Sequence, residues 1–109
     1  MSDYIKSLTD AIRRLHGCDA TYLETVPITE MFQGKIAWQG DVEVFNIRGH
    51  PKAKRCYAWA HDTDESRKRY VAVLELPPVD SALKAVRVAI VEEIRSKRAS
   101  QKKTKSGQT

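Results

Sequence analysis

Four cations and a histidine crowd one short stretch of this chain. Arg48, His50, Lys52, Lys54 and Arg55 surround a Gly49-His50-Pro51 loop, and no Asp or Glu occurs between Val44 and Ala60. Lys and Arg at this spacing suit phosphate oxygens, because each contact with a nucleic-acid backbone releases a condensed counterion. Immediately downstream, Arg55, Tyr57, Trp59 and His61 alternate with Cys56, Ala58 and Ala60. In a strand the first set shares one face and the small residues share the other. Two arrangements follow. With helices on the small face, Tyr57 and Trp59 lie open for a base to stack on; with helices on the aromatic face, both are core. The nucleic-acid-binding residues expected from the first arrangement are Arg48, His50, Lys52, Lys54, Arg55, Tyr57 and Trp59.

Other chemistry is thin. There is no Gly-rich phosphate loop, no Gly-x-Ser-x-Gly elbow and no His-Glu-x-x-His, so neither a cofactor nor a catalytic set is expected. His16 stands at a helix end, His50 before a proline and His61 at the close of a strand, and the three form no constellation. The segment His61-Asp62-Thr63-Asp64-Glu65 has the oxygen ligands of a divalent-cation loop, but it reads more simply as a polar hairpin connection, and no metal is expected. Cys56 beside Arg55 has the neighbour that would activate a thiol. Alternating with Ala58 and Ala60, it reads more simply as a small buried residue.

Charge must be located before it is used. The net charge is +5, yet residues 95–109 carry six Lys/Arg and no acid, which leaves the preceding 94 residues nearly neutral. The basic character belongs to the tail. A chain of 109 residues fits one domain, and the expected division is a single α+β domain over 1–98 and a disordered basic tail over 99–109. The tail has too little apolar surface to repay the entropy of ordering. The longest apolar run, Tyr70 to Leu74, is far short of the roughly 20 residues that cross a bilayer, so no membrane partner is expected. The polar N-terminus lacks signal-peptide character. Cys18 and Cys56 form neither a disulfide framework nor a zinc pattern, which points to the cytoplasm.

The elements that position these residues read as α-β-β-β-β-α. Ile5, Leu8, Ile12 and Leu15 recur at helical spacing, with Gly17 at the C-terminal cap position. Thr21 to Val26 is β-branched and aromatic, and Pro27 in the same run predicts an edge strand or a bulge. Gln33-Gly34 makes a turn. Ile36, Trp38, Val42 and Val44 then alternate with Ala37, Gln39, Asp41 and Glu43, the pattern of a strand with one wet face. Arg55–His61 and Tyr70–Leu76 complete the strands. A last helix opens at Asp80 or Ser81, with Leu83, Val86, Ala89, Ile90 and Ile94 as its stripe and Val88 away from it. Short connections predict a four-stranded antiparallel sheet, and the two amphipathic helices are expected on one common face of it.

The stretch Gly49-His50-Pro51-Lys52-Ala53-Lys54-Arg55-Cys56-Tyr57-Ala58-Trp59, with Val42-Glu43-Val44-Phe45 before it and Ala85-Val86-Arg87-Val88-Ala89-Ile90 after it, resembles a group of small uncharacterised bacterial proteins. That resemblance covers most of residues 12 to 94. It implies a bacterial, cytoplasmic protein and carries no activity. The element order is also similar to the double-stranded RNA-binding domain, with an extra strand and with Pro78-Val79-Asp80-Ser81 in place of that family's Gly-rich and Lys-rich helix start.

The sequence therefore supports a small binding protein without catalytic activity. DNA or RNA is the expected partner, at the basic loop, the aromatic strand and the tail. A protein-protein interaction or homo-oligomer module, using the strand edge at Pro27 or an open sheet face, is the alternative.

Overall fold

A computed structural model describes residues 3–62 and 68–93. Thr63, Asp64, Glu65, Ile94 and the tail over 99–109, each named in the sequence reading, lie outside the described residues. The elements are α1 (Asp3–His16), β1 (Asp19–Phe32), β2 (Lys35–Arg48), β3 (Arg55–Asp62) and β4 (Lys68–Leu74), followed by α2 (residues 82–93). The order is the predicted α-β-β-β-β-α. The sheet is antiparallel throughout, with strands in the order β1-β2-β3-β4.

Local chemistry explains the boundaries. Gly17, at φ +69°, closes α1 by donating its amide to the Arg13 carbonyl at 2.8 Å, the glycine termination that the left-handed region permits. Ser81 caps α2, its hydroxyl accepting the Lys84 amide at 3.3 Å. Gln33 and Gly34 both take positive φ, at 53° and 75°. A two-residue turn of that hand matches the twist of the strands it joins. With it in place β1 and β2 each run to 14 residues, well beyond the segments the periodicity marked. Pro27 lies in β1, which is indeed an edge strand, and the two register shifts fall elsewhere, at Tyr22/Glu24 and Glu30/Met31.

The helices do not share a face, and here the sequence-based expectation fails. Ile5, Leu8 and Ile12 of α1 bury Phe45, Ile47, Cys56 and Ala58. Ala82, Ala85 and Val86 of α2 bury Val42, Val44, Tyr57 and Trp59. Phe45 pairs with Cys56 and Val44 with Tyr57 in the β2–β3 ladder, so the two clusters lie on opposite sides of the same strands. The cause is apolar side chains of both parities in β2 and β3, which no single layer of helices could cover. Sizes are matched across each interface. On β3, large α1 residues meet the small Cys56 and Ala58, and small α2 residues meet the bulky Tyr57 and Trp59, which keeps both layers densely packed. Of the face read as wet, Ala37, Gln39 and Asp41 are exposed, and the part nearest Phe45 is covered: Glu43 is only 5% exposed.

Candidate functional site

The basic loop is built as a rigid corner. Arg48 ends β2, and Gly49 turns the chain at φ +93°. His50 then accepts the amides of Lys52 at 3.0 Å and Ala53 at 2.8 Å on its Nδ1, the role a short polar side chain commonly plays in a turn. Ala53 is buried in the α1 cluster, and the Ile47 amide donates to the Lys54 carbonyl at 3.0 Å. This scaffold leaves Arg48, Lys52, Lys54 and Arg55 exposed. Among the described residues none of the four makes an ion pair, whereas nearby Arg13 is held by Asp19 at 2.8 Å.

Tyr57 and Trp59 do not join them. They are 4% and 3% exposed beneath α2, and the expected stacking platform is corrected to core. The Tyr57 hydroxyl donates to the Glu75 carboxylate; burial first, then that carboxylate, holds its proton well above the ordinary tyrosine range. The other residues with possible chemistry are also structural. Cys56 is fully buried, and burial, with Cys18 adding to it, pushes its thiol from the usual 9 up to about 12. His16 donates from Nε2 to the Ala72 carbonyl at 2.8 Å, fastening α1 to the outer strand. Among the described residues no three His, Cys, Asp or Glu side chains are grouped to hold a metal.

Two features that the sequence reading missed stand away from the loop. The first is the turn end of the β1–β2 hairpin, where Met31, Phe32 and Ile36 are 51%, 67% and 57% exposed. Met31 and Ile36 are cross-strand partners, so they share a face. Beside this end lies a hollow of about 490 Å³, whose wall includes Trp38, Trp59, Val71, Val73, Val88 and Ile90.

The second is a cleft within the sheet. The β2–β3 ladder covers only Glu43–Asn46 against Arg55–Ala58. Beyond it β2 stays paired with β1 and β3 with β4, so the strands part. The gap holds a cavity of about 400 Å³ lined by Tyr4, Trp38, Asp41, Glu43, Trp59 and His61, among others. Tyr4 closes one side, its hydroxyl accepting the Ala60 amide at 3.1 Å. Burial raises the Tyr4 hydroxyl above its ordinary value; the Ala60 bond opposes this, and the carboxylates of Glu43 and Asp41 reinforce it. Thr25 donates to one oxygen of Glu43. Trp38 and Trp59 meet edge to face at 5.4 Å between ring centroids. The sequence signal for this cleft was a carboxylate, Glu43, set inside the apolar run Val42–Phe45.

No protein-family model, curated protein or solved structure matches the chain.

Proposed function

We propose that this chain is a non-catalytic protein-interaction module that associates with a second copy of itself through the turn end of the β1–β2 hairpin. The observation that carries the reading is the exposure of Met31, Phe32 and Ile36 together on one short, well-defined turn. Leaving such surface in water forgoes about 25 cal/mol for every Å² that a partner could cover, and clustered exposed apolar residues mark interaction sites where scattered ones do not. A second copy is the fitting occupant because one chain carries both halves of a contact. The apolar knob stands beside a hollow of about 490 Å³ whose largely apolar wall is rimmed by His61, Arg69, Glu92 and Glu93, and a two-fold axis would seat each knob in the partner's hollow.

Sedimentation velocity over a concentration series tests this. The protein should move from monomer toward dimer, and Phe32→Asp with Ile36→Asp should hold it monomeric while leaving its circular dichroism and melting unchanged. A wild-type chain that stays monomeric at high micromolar concentration overturns the reading.

A second reading has its own observation. Arg48, Lys52, Lys54 and Arg55 are exposed and without ion pairs among the described residues on a rigid corner, which supports contact with the phosphates of DNA or RNA. With Tyr57 and Trp59 buried, that contact would be electrostatic and largely blind to sequence.

A further inference from the structure

We propose that the cleft between β2 and β3 is a binding site for an alkylammonium group, held between the carboxylates of Asp41 and Glu43 and the aromatic walls of Tyr4, Trp38 and Trp59. Met31, Phe32 and Ile36 do not line this cavity, but Trp38 and Trp59 also wall the hollow proposed to receive a second copy, so the site is tested in the Phe32→Asp, Ile36→Asp chain as well as in the parent.

Charge, shape and lining lead to the same ligand. The cavity measures about 400 Å³, and its wall contains two carboxylates but neither Lys nor Arg. Glu43 is 5% exposed, and the hydrogen bond its carboxylate accepts comes from the neutral Thr25 hydroxyl, not from a cation. A buried carboxylate is costly unless a cation or several donors compensate it. Asp41 lies two residues before Glu43 in β2, so both carboxylates share a strand face. Aromatic rings attract cations through their electron-rich faces, Trp most strongly, and here two indoles from the α2 side of the sheet and a phenol from the α1 side line the same cavity. The chain already shows this preference. The Lys68 ammonium stands 5.7 Å above the Tyr4 ring centroid, although Lys68 does not line the cavity. An anion would meet two carboxylates, and a neutral apolar ligand would strand Glu43 without a counter-charge. A slender ammonium on a methylene stem satisfies both ends of the cavity.

That chemistry could come from a free amine or from a lysine side chain of another polypeptide, and one experiment separates them. Both tryptophans of the chain line the cavity, so intrinsic fluorescence and the two indole N–H resonances report on it directly. The full-length protein is titrated with n-butylammonium, with a blocked Gly-Lys-Gly peptide and with 1-butanol as a neutral control. Saturable changes at Trp38 and Trp59 with an ammonium probe, and none with butanol, are the expected result. If only the peptide saturates, the ligand is a protein side chain; if butylammonium saturates too, a free amine suffices. Asp41→Asn, at an exposed position whose change spares the core, should weaken binding about tenfold by removing a charge-assisted contact. Glu43→Gln should do the same or more, its fold verified by amide dispersion. The proposal is overturned if neither ammonium probe saturates at millimolar concentration, if butanol gives the same response, or if Asp41→Asn binds as tightly as the parent.

Discussion

Cys56 shows how a single side chain ties burial to pH. Its thiol is pushed from the usual 9 to about 12 because no water reaches it, so the folded protein keeps a proton that the unfolded chain releases above pH 9. The stabilisation this gives is complete below pH 9 and is lost as pH rises from 9 toward 12. Between pH 8 and about 10.5 it should cost roughly 2 kcal/mol. Tyr4 and Tyr57 are shifted the same way from 10, so the comparison that isolates the thiol is with Cys56→Ala. Urea unfolding at the two pH values should show a smaller alkaline loss for the variant, and equal losses would mean that water reaches the thiol. Below pH 9 Cys56 is accordingly a packing residue that stays protonated, and thiolate chemistry is closed to it.

At the scale of elements, the basic corner between β2 and β3 makes a separable claim. Arg48 and Lys52 point away from the core while His50 and Ala53 hold the loop. Replacing both cations by Ala should therefore change stability by no more than about 0.5 kcal/mol. Any affinity for duplex DNA or RNA should fall in that variant, and the slope of log affinity against log salt should drop by about 1 for each phosphate no longer neutralised. An unchanged slope would remove the corner from any nucleic-acid role. Local patterns made such elements readable. The glycine after α1, the Gln33-Gly34 turn, the loop cations and all four strands were legible because each depends on residues close together in the chain. Which face each helix covers was not. The alternation of Ile36, Trp38, Val42 and Val44 suggested one buried face. The counter-signal was Phe45 and Ile47, whose opposite parity marks a strand covered on both sides. The cleft was hidden for a related reason: Glu43 inside an apolar run marks an unusual carboxylate, but nothing in β2 or β3 shows where two paired strands separate. Tyr4, Asp41 and His61 meet there only through the tertiary structure.

For the whole molecule, the central sheet divides the core in two. α1 covers Phe45, Cys56 and Ala58 on one side, and α2 covers Val44, Tyr57 and Trp59 on the other. β2, 14 residues long and so about 45 Å from end to end, carries the apolar turn at its start and the basic corner at its finish. The apolar turn and the basic corner are thus set far apart on β2, with the cleft at Trp38, Asp41 and Glu43 lying between them. Each strand, moreover, pairs only with the strand next to it in sequence, while the hydrogen bonds that fasten α1, Tyr4 to Ala60 and His16 to Ala72, each span 56 residues. The order of assembly follows from that difference. The hairpin at Gln33-Gly34 closes the shortest loop, and docking of the two helices, α1 onto β3 and β4 across 56 residues and α2 onto β1 across 57, closes far longer ones at greater entropic cost. In stopped-flow measurements Val42→Ala should slow refolding, whereas Leu8→Ala should mainly speed unfolding, with a φ-value near zero. A φ-value near one at Leu8 would reverse this order. α1 is thus synthesised ahead of the strands it packs on, and its two long-range hydrogen bonds form only after β3 and β4 have followed it.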